Sequence, residues 1–161
     1  MLEIDLGMFL LRVVVGLTFA YHGYKKAGSL GGTAGWFDSI GMKPGKLHAP
    51  LAAYTEIGSG LLLALGLFTP FACLAIVGVM AVAGWTVHRH AFLITSEGFE
   101  YTLIIATVAA AIGVVGPGAW SIDNAIDLSI TGWAGLAIAL GGGLAMAVGQ
   151  LAIFFRPPAK A

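Results

Sequence analysis

The chain has 161 residues, of which 58% are hydrophobic and only 10% charged, and its mean hydropathy is +0.92; a soluble domain of this length is nearer a quarter charged. Formal net charge is zero and no basic tail is present, which sets nucleic acid aside as a partner. The lone cysteine, Cys73, lies in an apolar run; this excludes an intrachain disulfide and Cys-x-x-Cys chemistry, and the residue reads as a small packed hydrophobe.

Apolar runs long enough to cross a hydrocarbon core of about 30 Å recur along the chain, without the alternation of strands. They predict an all-α membrane protein of five transmembrane helices, one membrane domain over residues 1–161. The first span runs from about Ile4 to Tyr21. Glu3 and Asp5 stand where a signal peptide would carry its basic region, so this run is read as a span. The following loop holds Lys25, Lys26, Lys43 and Lys46, and its segment Thr33 to Gly41 predicts a short interfacial helix. Thr33 would cap that helix and Gly41 stop it, with Trp36, Phe37 and Ile40 facing lipid or the bundle.

The second span runs from about Pro50 to Phe68, and the third, after a Thr69-Pro70 turn, from about Phe71 to Val87. A fourth from about Tyr101 to Val115 is stopped by Gly116-Pro117-Gly118. A fifth from about Trp133 to Phe155 ends at Arg156-Pro157-Pro158. With five spans, Lys25, Lys26, Lys43, Lys46, Arg89, Arg156 and Lys160 all fall on one side, which is expected to be cytoplasmic. Glu3, Asp5, Asp123 and Asp127 fall on the other, placing the N-terminus outside and the C-terminus inside. Trp85, Trp120 and Trp133 read as interfacial anchors.

Small residues forecast the helix contacts. Gly135, Ala139, Gly143 and Ala147 form a smooth stripe on span five, open to an internal contact or a dimer. Thr102, Ala106 and Ala110 form another on span four. Glu56 shares a face of span two with Ala49, Ala52, Ala53 and Gly60, which turns it into the bundle.

The polar residues inside spans are the functional candidates, because ionisable groups there are costly and usually serve a purpose. Glu56 lies about 10 Å and Arg12 about 15 Å from the basic side at 1.5 Å per residue. The expectation is an Arg12–Glu56 ion pair, available for proton transfer or for fixing helix register. His22, His88, His90, Glu100 and Tyr101 lie at helix ends on the same side, and with Glu56 would ring a vestibule. Histidines beside carboxylates titrate near neutral pH and suit proton transfer or ligation. His88 and His90 diverge on a regular helix, so no metal site is expected. Gly-rich phosphate loops, Gly-x-Ser-x-Gly elbows and His-Glu-x-x-His zinc motifs are absent from the sequence.

Leu11-Arg12 and Gly16, then His22-Gly23-Tyr24-Lys25-Lys26, resemble the opening of the DoxX family of small bacterial membrane proteins. The resemblance continues through Gly41-Met-Lys-Pro44, Glu56-Ile-Gly58-Ser-Gly60, Leu61 to Thr69 and Glu97-Gly98-Phe99-Glu100-Tyr101. It implies a DoxX-like four-helix core over residues 4–118, with residues 119–161 adding an outer loop and a fifth helix. It also implies a multi-pass protein of the bacterial inner membrane, linked to quinone chemistry or oxidative-stress defence. Carried over, Glu56, His22 and Arg12 would act in proton transfer or a buried ion pair. His22, Glu56, Glu100, Tyr101 and His88 would hold a quinone or a lipid.

The leading expectation is a membrane subunit of a quinone-linked oxidoreductase or stress system, its redox cofactor on a protein partner. A non-catalytic anchor of a respiratory or redox complex is the second reading, and a small proton-coupled transporter the third. A homo-oligomer is compatible with all three.

Overall fold

The computed structural model describes residues 2–157; Pro158 and Lys160 lie outside the described residues. Seven helices follow one another among them: α1 (Leu2–Ala27), α2 (Leu30–Ser39), α3 (Gly45–Leu65), α4 (Thr69–His88), α5 (Glu100–Val115), α6 (Ile122–Ala125) and α7 (Gly132–Phe154). The last turn of α4 and the middle of α7 are wound as π-helix. Three helices, α1, α4 and α7, are long and apolar enough to cross a membrane, and α5 is apolar but shorter, at 16 residues. α3 has 21 residues and carries Lys46, His48 and Glu56.

Helix ends follow local chemistry and depart from the sequence reading in two places. α2 begins at Leu30, and Thr33 does not cap it; its hydroxyl donates to the Lys26 carbonyl at 3.3 Å. α3 begins at Gly45, well before Pro50, because an Asp38 carboxylate oxygen accepts the Gly45 N–H at 2.8 Å and so nucleates the first turn. Pro50 removes one hydrogen bond early in the helix, which α3 tolerates. The turn from α3 to α4 depends on Gly66 in the left-handed region (φ 65°), where a glycine has no steric penalty. Pro70 then sits in the first turn of α4, where a missing N–H costs nothing.

In a membrane, helices associate by close packing and interhelical hydrogen bonds more than by burial of apolar surface. α1 and α3 lie antiparallel with their backbones nearly touching. A Cβ on Gly16 would fall 2.5 Å from the Gly60 carbonyl oxygen, and one on Gly23 would fall 2.5 Å from that of Ala53. α4 is central, packing on α3, α5 and α7, and buries Cys73, Ile76 and Val77 completely. The small residues of α7 make internal contacts: Gly135 and Ala139 meet Gly113 of α5, Gly143 meets Leu74 and Val77, and Ala147 is buried.

The connections define two ends. At one, Arg156 N–H donates to the Gly41 carbonyl (2.7 Å) and Lys43 N–H to that of Phe154 (3.1 Å), docking the end of α7 on the loop before α3. Lys25, Lys26, Lys43, Lys46 and Arg89 gather at this basic end. At the other, Asp5 accepts the Ala119 N–H (2.8 Å), joining the start of α1 to the loop after α5.

Candidate functional site

Antiparallel packing sets the register of α1 against α3, and it separates Arg12 from Glu56. With Gly16 opposite Gly60, Arg12 lies beside Ala64 and Glu56 lies nearer the basic end, beside Gly23 and Lys26. The expected Arg12–Glu56 pair is therefore corrected. The depth count failed because it took the basic ends of the two helices as level. In the observed register Ala27 stands opposite Ala49, a turn inside Gly45, and Arg12 opposite Ala64, eight residues or about 12 Å along α3 from Glu56.

Glu56 instead pairs with Lys26. The ammonium nitrogen lies 2.5 and 2.6 Å from the two carboxylate oxygens, with Glu56 only 2% exposed and the Lys26 side chain 26% exposed. Lys26 comes from the last turn of α1, and the long side chain reaches down to the carboxylate from the helix end. Gly23, one turn earlier, makes room for this approach because no side chain stands between the helices. His22 and Tyr101 lie within electrostatic reach of Glu56, and their rings are 6.4 Å apart between α1 and α5.

His88, His90 and Glu100 take other partners. His88 Nδ1 is 2.6 Å from the Glu97 carbonyl, and the His90 ring contacts the carbonyls of Val87 and Ser96 at 3.1 and 2.9 Å. Glu100 accepts the Ile94 N–H at 2.9 Å. These three fasten the loop between α4 and α5. Of the expected vestibule, then, Glu56, His22 and Tyr101 come together, while His88 and Glu100 serve the loop.

Arg12 is fully buried at the opposite end. Its guanidinium donates to the Trp120 carbonyl at 2.5 Å and to the Ala64 carbonyl at 3.3 Å, with the Leu63 carbonyl at 3.5 Å. The last two are carbonyls at the C-terminal end of α3, where Leu63 also accepts the Gly66 N–H at 3.0 Å and a cation suits the helix dipole. Asp123 is buried beside it and accepts the N–H groups of Phe68 (2.7 Å) and Thr69 (2.9 Å) at the start of α4.

A cavity of about 430 Å³ opens among α2, α3, α4 and α7. Apolar side chains such as Phe37, Leu51, Val82 and Phe154 form most of its wall, and Lys26, Glu56, His48 and Gln150 supply polarity. Its volume lies within the range of about 300–1,000 Å³ usual for small-molecule sites. His48 is 1% exposed, and its Nδ1 is 3.2 Å from the Gln150 amide nitrogen. Its Nε2 is buried without a hydrogen-bond partner, an arrangement that costs about 1–3 kcal/mol. No three His, Cys, Asp or Glu side chains converge to hold a metal among the described residues.

Sequence reading missed four of these residues. On charge alone Lys26 reads as a topology determinant, and Asp123 as an acidic marker of the outer side. His48 and Gln150 drew no reading, though both carry a signal. His48, Ala52 and Glu56 are spaced four apart, so they share a helix face, and Gln150 is the polar interruption of an apolar span.

A bundle of apolar helices with buried charges, tied at two ends of opposite charge, defines a multi-pass integral membrane protein. Residues 7–89, covering α1 to α4, match the family model named DoxX, and the chain belongs to that family. Curated relatives agree. The chain is 27% identical to "Inner membrane protein YqjF" of Escherichia coli (strain K12), across 76% of this chain and 94% of that one. It is 28% identical to "Inner membrane protein YphA" of the same organism, across 73% and 88%. It is 32% identical to "Putative oxidoreductase CatD" of Bacillus subtilis (strain 168), across 67% and 79%. No solved structure matches significantly. The protein is a multi-pass protein of the bacterial inner membrane.

Proposed function

We propose that this chain is a membrane subunit of a quinone-linked oxidoreductase or oxidative-stress system, with the redox cofactor carried by a protein partner. The observation that carries the reading is the buried Lys26–Glu56 pair beside His22 and Tyr101. A charged pair in the membrane is costly and usually functional. Here it combines a carboxylate, an ammonium, an imidazole and a phenol next to an apolar cavity. Those groups can donate to a quinone oxygen and deliver or accept the protons that accompany its reduction. The name of the Bacillus subtilis relative adds support from a second direction. Cys73 stands alone and fully buried, so the thiol chemistry of such a system would belong to a partner.

The same reading takes α1, α3, α4, α5 and α7 as five spans of one membrane domain, with residues 4–118 as the four-helix core and 119–161 as the outer loop and fifth helix. The clustering of Lys25, Lys26, Lys43, Lys46 and Arg89 at one end supports a cytoplasmic basic side, with the N-terminus outside and the C-terminus inside. Arg12 enters this scheme as a residue that positions helices, since its partners are carbonyls at the opposite end.

The test is purification in a mild detergent, with mass spectrometry of the small molecules and proteins that come with it. Bound quinone that disappears in Glu56→Gln and in His22→Ala supports the reading. A stoichiometric partner without quinone, unchanged in both variants, makes the chain a non-catalytic anchor instead.

A further inference from the structure

We infer that the groove between α4, α5 and α7 seats one anionic phospholipid, its phosphate on Arg89 and an acyl chain along the apolar floor. The groove has a volume of about 500 Å³ and is walled by Val77, Ala81 and Trp85 of α4, Ala106 and Ala110 of α5, and Leu144 of α7. Its floor narrows where α4 meets α5: a Cβ on Gly84 would lie 3.0 Å from the Thr102 hydroxyl oxygen. That hydroxyl donates to the Phe99 carbonyl at 2.8 Å, so it asks no hydrogen bond of an occupant. From Arg89 to Val77 the groove follows α4 for roughly 18 Å at about 1.5 Å per residue. This is close to half of a hydrocarbon core of about 30 Å, the depth of one leaflet.

Charge stands at one end of this groove. Arg89 follows the last turn of α4, exposed, with its guanidinium carbon 5.2 Å from the Trp85 ring centre and 5.9 Å from that of Phe155. A guanidinium stacked on aromatic rings keeps its in-plane N–H groups for a bidentate oxyanion. No carboxylate among the described residues pairs with it; that of Glu100 accepts the Ile94 N–H instead. A fixed cation at the mouth of an apolar trough complements an amphiphile with one phosphate, and basic pockets between spanning helices take anionic headgroups in this way. A choline lipid carries its own cation beside the phosphate and fits less well. A bare phosphate would leave the trough empty, and a second copy of the chain would not need the charge. The inference depends neither on the orientation of the chain nor on the redox-linked reading, since both ends of the bundle meet a headgroup layer.

Thr107 lines the groove from an exposed position, so Thr107→Trp takes up the space of the chain without entering the core. The full chain, delipidated in detergent, is titrated with palmitoyl-oleoyl phosphatidylglycerol and separately with the phosphatidylcholine of the same acyl chains. Adducts are read by native mass spectrometry, with thermal midpoints confirming that each variant folds. The expected result is a one-to-one phosphatidylglycerol adduct about fivefold tighter than that of phosphatidylcholine, the worth of one basic residue at an anionic headgroup. Arg89→Gln should remove that preference, and Thr107→Trp should lose most of the adduct. Lys46→Gln, at a cation of the same end that lies outside the groove, should change neither. Equal binding of the two lipids to wild type, or a preference that survives Arg89→Gln, overturns the phosphate site. An adduct unchanged in Thr107→Trp overturns the groove as the seat of the chain. Loss of preference in Lys46→Gln as complete as in Arg89→Gln overturns the site as well, because diffuse charge then explains the binding. A lipid-free dimer that Thr107→Trp abolishes makes the groove an interface between copies instead.

Discussion

Arg12 and Asp123 hold the two sides of one turn: the guanidinium donates to carbonyls at the end of α3, and the carboxylate accepts from N–H groups at the start of α4. They come from α1 and α6, so four helices meet at a single reversal of the chain. A hydrogen bond to a charged group contributes about 1.5–3 kcal/mol. Arg12→Gln, which retains a donor but loses the charge and the fork, is expected to lower stability by about 1.5–3 kcal/mol on that scale. Thermal unfolding in detergent measures this; an unchanged midpoint would show that the carbonyls find other donors.

Lys26 and Glu56 should behave as a unit. Removing one member leaves an uncompensated buried charge, at a cost of about 3–5 kcal/mol. Lys26→Met and Glu56→Gln are each expected to destabilise, whereas the double variant recovers much of the loss. A double-mutant cycle on unfolding midpoints reads the coupling, and additive effects would count against the pair.

Backbone contact between α1 and α3 leaves no room for a side chain. Gly16→Val and Gly60→Val are expected to force the helices apart, with a loss of at least the 1–3 kcal/mol typical of overpacking, or about a failure to assemble. Gly58 and Gly141 face open space, so alanine there serves as the control. Equal yields of folded protein from Gly16→Val and Gly58→Ala would refute the contact.

The proposed orientation can be read with thiol reagents. With Cys73 replaced by alanine, Lys46→Cys should react only with a reagent that enters the cytoplasm. Asp127→Cys should react from outside in intact cells. Labelling of both from the same side would remove a span from the scheme.

Element types were legible because apolar runs and breakers are dictated by local chemistry: Gly66, Thr69-Pro70 and Gly116 all mark helix boundaries. Register was not read, although the information is present. Gly16 and Gly23 are seven apart, as are Ala53 and Gly60, and superposing those two sets antiparallel places Arg12 beside Ala64. Counting depth from the ends assumes that α1 and α3 begin level, whereas α3 starts about one turn beyond the end of α1. Membership of the inward face was clear for Glu56, from its alanine and glycine neighbours. The partner of Glu56 was not, because a lysine at a helix end can either face water or reach back along the helix. Asp123 illustrates the opposite difficulty: an aspartate in a polar loop becomes buried only when the chain folds back over the α3–α4 turn.

The docking of Arg156 and Phe154 on the loop at Gly41 to Lys43 makes α7 more than an appendage to the family-matched segment. By carrying Gln150 and Gly149, the last helix forms one whole wall of the cavity and sets a polar side chain against His48. Exchanging that wall alone would let related proteins admit different guests while keeping the same frame, as one door panel can be refitted without rebuilding the house.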